Sequence, residues 1–132
     1  MLRKFLIVDS NADNGALLVR SLIRKYPSAS VQLSQDSAGA IETLAAQAVD
    51  VVVLHRTDTD DAVRLIEAFL RIAPDVPIVA VSGVNRSAPL LKAGAAAFLL
   101  YDEWLRLGSV VHSALEAKAA KASSPPIAGQ SS

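Results

Sequence analysis

Polar side chains stand directly after four apolar runs of this sequence, and several of them are residue types that bind metals or move protons. Asp9 and Ser10 follow the first run, His55 the second, Ser82 the third and Tyr101 the fourth. An imidazole beside a carboxylate has the chemistry of a general base and the group that orients it. Carboxylates and hydroxyls are oxygen ligands that suit a hard cation such as Mg²⁺. These five residues are the first candidates for a functional site.

The apolar runs before these residues have the pattern of buried strands, and helical segments separate them. Each run is short and rich in strand-forming residues, whereas the intervening segments repeat apolar residues at helical spacing and most of them end near a proline or a glycine. The predicted strands are residues 5–8, 30–33, 51–54, 78–81 and 97–100. The predicted helices are residues 12–25, 37–47, 59–73, 87–93 and 103–121.

This alternation predicts the doubly wound α/β class, with a five-stranded parallel sheet and helices on both faces, because parallel neighbours need crossover connections. In such sheets ligands and chemistry collect at the carboxyl ends of the strands. We therefore expect the candidate residues to converge at one edge of the sheet, together with the other residues that follow strands. These are Ser34, Arg56, Gly83 and Asp102.

Composition limits the classes of function. The 132 residues include 13 basic and 13 acidic side chains, so no net charge favours contact with nucleic acid or a membrane. Cysteine is absent, which excludes disulfides and thiolate chemistry. The first apolar run is too short for a signal peptide or a membrane span, so we expect a cytoplasmic protein. Residues 1–120 are predicted to form one domain, and residues 121–132, which contain Pro125 and Pro126, a flexible linker or tail.

Over about residues 3 to 118 the chain resembles the receiver domain of bacterial two-component response regulators, the CheY-like domains. The resemblance rests on the order and spacing of LIVD at 6–9, VDVVVL at 49–54, DVPIVAVS at 75–82, KAGA at 92–95 and FLL at 98–100. It implies a flavodoxin-like sheet of strand order 2-1-3-4-5. It also implies a signalling module that is switched by phosphorylation.

The resemblance further implies a phosphorylation site made of an acidic pair that holds Mg²⁺, an aspartate that accepts the phosphoryl group, a hydroxyl and a lysine. The first acid matches Asp9, and the hydroxyl position is kept as Ser82. The second acid falls on Ser10, the phosphoacceptor on His55 and the lysine on Tyr101. Three of the five positions therefore depart from the family.

These departures predict a degenerate site. Two of three acidic side chains are lost, so Mg²⁺ binding should be weak or absent, and we expect no cofactor. The nucleophile and the lysine are replaced, so aspartyl phosphorylation of the usual kind is not expected. The aromatic residue that moves on activation in the family matches Phe98. The fourth helix is short and contains Pro89, and because this helix belongs to the family's output and dimerisation face, the departure argues against the family's usual dimer mode. A homodimer stays an open alternative.

Two residues of the predicted site have competing interpretations. His55 is either a phosphoacceptor or metal ligand beside Asp9, or, more simply, a neutral histidine bonded to Asp9, Ser82 or Tyr101. Ser82 and Gly83 either hold an anion with the following amides or form an ordinary turn at a strand end. In both cases the simpler interpretation is favoured.

Two further motifs are also open to a functional or a structural interpretation. The run of residues 58–61, DTDD, is either a metal loop or substitute acceptor, or the N-cap and first turn of a helix, which is simpler. Trp104 and Leu105 form an interaction patch if they are exposed with Leu107 and Val111, and core if they are not.

The sequence thus predicts a degenerate receiver module in two-component, phosphorelay-type signalling that works by contact with another protein and is not an enzyme. Its expected partner is a histidine kinase, an output domain or another signalling protein. One alternative is a working receiver phosphorylated on a non-standard residue, His55 or Asp58. The other is a small α/β enzyme with His55 and Asp9 as a base pair. It ranks last because the sequence shows no nucleophile or glycine-rich cofactor loop.

Overall fold

A computed structural model describes residues 2–123. Strands and helices alternate along the chain, with one 3₁₀ helix before the last α-helix. The elements are β1 (Lys4–Asp9), α1 (Ala12–Lys25), β2 (Ser30–Ser34), α2 (Ser37–Ala46), β3 (Val51–His55), α3 (Thr59–Ile72), β4 (Ile78–Ser82), α4 (Ser87–Ala93), β5 (Ala97–Leu100), the 3₁₀ helix (Tyr101–Arg106) and α5 (Leu107–Ser123).

The five strands form one parallel sheet in the order β2-β1-β3-β4-β5. The order reverses between β1 and β3, which is the switch point where doubly wound sheets place their sites. The predicted fold class and strand order are confirmed.

Side chains of successive strand residues point to opposite faces, and each face has its own core. On β1, Leu6 and Val8 pack with α2, α3 and α4, whereas Phe5 and Ile7 pack with α1 and α5. All four side chains are fully buried, as the continuous apolar run predicts for a central parallel strand. The same alternation fixes which face each residue at the strand ends occupies.

Capping side chains begin three of the helices. Asn11, Asp36 and Asp58 each accept a hydrogen bond from a backbone N–H three residues later, at the starts of α1, α2 and α3. Such caps satisfy donors that have no partner within the helix. Asp58 is therefore a helix cap, as the simpler interpretation of the DTDD run predicts.

The fifth helix begins later than predicted. Residues 101–106 form a 3₁₀ helix, Glu103 has non-helical backbone angles, and the α-helix starts at Leu107. The reason is a tertiary contact between the first turn of α5 and helix α1. The Gly108 N–H donates to the Ser21 hydroxyl, and a Cβ at Gly108 would lie 2.7 Å from the Lys25 side chain. Helix α5 therefore packs closely against α1 at this point. At its other end α5 continues to Ser123, and the rest of the predicted tail lies outside the described residues.

The exposure of residues 104–111 decides whether Trp104 and Leu105 belong to an interaction patch or to the core. Leu107 and Val111 are fully buried, Trp104 packs against the same core, and only Leu105 is exposed, at 58%. The four residues therefore do not form an exposed patch. Among residues 2–123, no helix is long and apolar enough to cross a membrane.

Candidate functional site

The register of the sheet places Asp9 beside His55. The two residues are direct partners between the adjacent strands β1 and β3, at the carboxyl end of both. By the alternation of side chains, both lie on the same face as Ile7 and Val53, whose side chains pack with α1 and α5. The sequence could predict this meeting, because both residues come directly after the buried runs.

A short hydrogen bond joins the two side chains. Nδ1 of His55 lies 2.7 Å from Oδ2 of Asp9, and the exposed fractions of the two side chains are 10% and 2%. The other carboxylate oxygen, Oδ1, accepts the backbone N–H of Asn11 at 2.9 Å. Both oxygens of Asp9 are therefore engaged by the protein's own donors.

Tyr101 closes this site from the side of β5. Its ring stacks on the imidazole of His55, with centroids 4.8 Å apart and planes 12° from parallel. Its hydroxyl donates to the backbone carbonyl of Asn14 in α1, at 3.1 Å. Burial, and secondarily the charge of Asp9, raises the pKa of Tyr101. The phenol is thus held neutral, as its donor role requires.

Within residues 2–123, no side-chain hydrogen bond or ring contact joins the other predicted site residues to this group. Ser82 is buried at the end of β4, but the alternation of that strand assigns it to the side of Ala80, away from His55. Its hydroxyl accepts the N–H of Val84 at 3.3 Å, which is the strand-end turn of the simpler interpretation. Ser10 is exposed, and Phe98 is partly buried against the core under α3 and α4.

Asn14 and Arg56 contribute contacts that sequence reasoning missed. Nε of Arg56 lies 3.1 Å from Oδ2 of Asp61, and its guanidinium also donates to the carbonyl of His55. The Arg56 side chain is 13% exposed. Asn14 offers only its backbone carbonyl, and backbone groups leave no signal in a sequence.

The donor set does not match what Mg²⁺ requires. A magnesium site usually provides one or two carboxylates that are free to face the ion. Here Asp9 is the only carboxylate of the predicted site, and both of its oxygens are occupied. Within residues 2–123, no three His, Cys, Asp or Glu side chains lie close enough together to hold a metal ion.

Solved receiver domains share this fold. A CheY-like response regulator receiver domain protein from Methanospirillum hungatei has a TM-score of 0.76 at 16% identity, over 92% of this chain and 99% of that chain. A two-component response regulator from Clostridium difficile has a TM-score of 0.72 at 23% identity, over 92% and 99%. At these identities the likeness establishes the fold alone.

A third solved structure contains an occupied phosphorylation site. It is a response regulator from Burkholderia pseudomallei with a phosphorylated aspartic acid, a calcium ion and citrate, with a TM-score of 0.66 at 20% identity, over 95% of this chain and 77% of that chain. No family model matches the present sequence, and the search of curated proteins also finds no match.

Proposed function

We propose that this chain is a degenerate receiver module of two-component signalling, which acts by contact with a protein partner and without phosphorylation of an aspartate. The observation that carries the proposal is the closed group of Asp9, His55 and Tyr101. It occupies the positions that the resemblance assigns to metal binding, phosphoryl acceptance and charge neutralisation. The receiver fold of the solved relatives supports the signalling class.

The chemistry of the closed group argues against phosphoryl transfer. Transfer to a carboxylate needs a nucleophile, a metal and a cation placed around the incoming oxygens. The acceptor position holds an imidazole whose Nδ1 is bonded to Asp9, and the cation position holds a phenol bonded to Asn14. Mg²⁺ binding is therefore weak or absent in this proposal, because Asp9 is the only carboxylate at the five site positions and each of its oxygens already accepts an internal hydrogen bond.

The partner in this proposal is a histidine kinase, an attached output domain or another signalling protein. A receiver whose site is filled by its own side chains presents one fixed surface rather than two states. Contact then depends on the concentration of the partner and not on a phosphoryl group. The proposal places the module in the cytoplasm and leaves homodimerisation open.

One observation favours a second candidate, phosphorylation of His55 itself. The hydrogen bond from Nδ1–H to Asp9 would leave the Nε2 lone pair as the reactive position of the ring. Within residues 2–123 the imidazole forms its hydrogen bond at Nδ1 and none at Nε2, and the His55 side chain is 10% exposed. Asp58, the other alternative acceptor, caps α3 through Oδ1.

Intact mass after incubation with acetyl phosphate and Mg²⁺ tests both candidates. The wild-type protein should show no added phosphoryl group. A stable gain that His55→Ala abolishes and Asp58→Asn keeps would establish the second candidate, and the reverse pattern would implicate Asp58. Mass should be recorded at neutral and at acidic pH, because a phosphorylated imidazole is lost in acid. Either gain would contradict the phosphorylation-independent proposal.

The enzyme alternative has weaker support. His55 and Asp9 have the geometry of a base and its orienter, but Tyr101 covers one face of the imidazole ring. The neighbouring cavity, of about 410 Å³, is lined by residues of the β3–α3 connection, the first turn of α3 and the β4–α4 connection. Neither His55 nor Asp9 lines this cavity. The module is not an enzyme in this proposal.

A further inference from the structure

A groove of about 850 Å³ lies at the opposite edge of the sheet from His55. The end of α3 and the α3–β4 connection form one wall, the residues before and at the start of β5 form the floor, and residues 110–122 of α5 form the other wall. Its apolar lining includes Leu70, Val76, Pro77, Ala97, Val110 and Ala114. The volume falls in the range of about 300–1,000 Å³ that is typical of small-molecule sites.

The backbone at the corner of the groove is specialised for close packing. Gly94 has a φ of +120°, and a Cβ at this position would lie 2.4 Å from Cδ1 of Leu70. A side chain at position 94 would therefore push Leu70 from its place in the wall. The shape of the groove depends on a glycine here.

The basic and the acidic residues of the groove lie on opposite walls. Lys118 and Lys121 line the α5 wall, and Asp75 lies in the opposite connection. The two lysines are three residues apart on the helix, so both ammonium groups lie on the same side of α5. Within residues 2–123, neither lysine forms an ion pair.

We propose that this groove binds a small amphipathic anion, a molecule with one carboxylate and an apolar body of acyl-chain or aromatic type. The apolar walls take the body, and the paired lysines take the carboxylate. Asp75 disfavours a second negative group at the far wall and so selects a single anionic head. The groove shares no residue with the group of Asp9, His55 and Tyr101.

The direct test is titration of the ¹⁵N-labelled full chain with octanoate, followed by two-dimensional amide NMR. Saturable shifts are expected at the amides of Gly94, Ala97 and Ala117, which line the groove. Octan-1-ol has the same chain without the charge, and it should bind at least about fivefold more weakly if the lysines contribute about 1 kcal/mol. Octylamine should not bind.

Matched variants distinguish binding of octanoate in the groove from a general effect of net charge. The double variant Lys118→Gln/Lys121→Gln should raise the dissociation constant of octanoate by about fivefold or more. The variant Arg20→Gln/Arg24→Gln on α1 makes the same change in net charge at exposed residues and should leave the affinity unchanged. Ala117→Trp should block the groove at an exposed helix position.

Several results would overturn the proposal. One is the absence of saturable shifts, and another is shifts confined to residues outside the groove. Equal affinity for octanoate and octan-1-ol would show an apolar surface without anion recognition. An unchanged affinity in the Lys118→Gln/Lys121→Gln variant would remove the lysines from the site. None of these results depends on phosphorylation, so failure here is distinct from failure of the receiver proposal.

Discussion

The two edges of the sheet differ in whether the protein provides partners for its own charged side chains. At the carboxyl edge, the carboxylate of Asp9 has two internal donors, and its partner His55 is covered by Tyr101. At the amino edge, Lys118 and Lys121 border an open groove and have no ion-pair partner within residues 2–123. The strand ends where doubly wound folds usually place their sites are therefore closed here by the protein's own side chains, whereas the groove at the amino edge is open.

Removal of His55 should have the largest effect on stability. His55→Ala takes away the donor to a buried carboxylate and the stacking surface of Tyr101. We expect the free energy of unfolding to fall by about 2–3 kcal/mol, in the range for hydrogen bonds to charged groups. Urea denaturation measures the change, and a loss below about 0.5 kcal/mol would mean that Asp9 does not depend on His55.

A substitution of Gly94, at the corner of the groove, should cause the second largest loss of stability. Gly94→Ala forces a side chain into a positive-φ conformation and against Leu70. We expect a loss of about 1–2 kcal/mol, chiefly from the backbone, because the atom that the new Cβ meets is the end of the flexible Leu70 side chain. Leu70→Ala in the same chain should relieve the contact but not the backbone cost. Full recovery of the Gly94→Ala loss in that background would show that contact, and not conformation, requires glycine.

The hydroxyl of Tyr101 should make a smaller contribution. Tyr101→Phe keeps the stacked ring and removes the bond to the Asn14 carbonyl, for an expected loss of about 0.5–1.5 kcal/mol. Tyr101→Ala should lose more, because it also removes the stacking. Equal losses in the two variants would show that the ring contact with His55 contributes nothing.

The same hydroxyl predicts a pH dependence of stability. Folding raises the pKa of Tyr101 above its ordinary value of 10.0, so the folded state binds this proton more tightly than the unfolded state. The contribution is complete below the ordinary value and is lost as the pH rises through the raised value. Urea midpoints above pH 10 should therefore fall more steeply for the wild type than for Tyr101→Phe, whereas parallel curves would contradict this.

The groove lysines should have the smallest effect on stability. Lys118→Gln/Lys121→Gln removes exposed charges without ion-pair partners within residues 2–123, so the free energy of unfolding should change by less than about 0.5 kcal/mol. Comparison with His55→Ala in the same urea experiment defines the contrast between the two edges. A larger loss would mean that the lysines stabilise the fold and would weaken their assignment to a ligand.

The sequence predicts much of the fold because local patterns and global topology agree. The apolar runs locate all five strands within a residue at each end, and the spacing in residues 12–25 gives the bounds of α1. The start of α5 was predicted wrongly because it depends on Gly108 packing against α1. That contact lies far away in the sequence, so no local pattern reports it.

The candidate site, like the fold, could be predicted only in part from the sequence. The meeting of Asp9 and His55 follows from the positions of two buried runs, since adjacent parallel strands end at the same edge. Tyr101 reaches Asn14 over 87 residues through a backbone carbonyl, and no pattern of side chains indicates such a bond. Ser82 could be placed at the edge but not on a face until the register of β4 was known.

The sharpest test is a variant that carries the residue types of a phosphorylated receiver at the three closed positions. The variant Ser10→Asp/His55→Asp/Tyr101→Lys supplies an acidic pair, an acceptor and a cation, and it should be compared with the wild type by intact mass after incubation with acetyl phosphate and Mg²⁺. We predict one added phosphoryl group on the variant, dependent on Mg²⁺, and none on the wild type. Phosphorylation of the wild type under the same conditions, or a folded variant that stays unmodified, would contradict the claim that these three residues close the site.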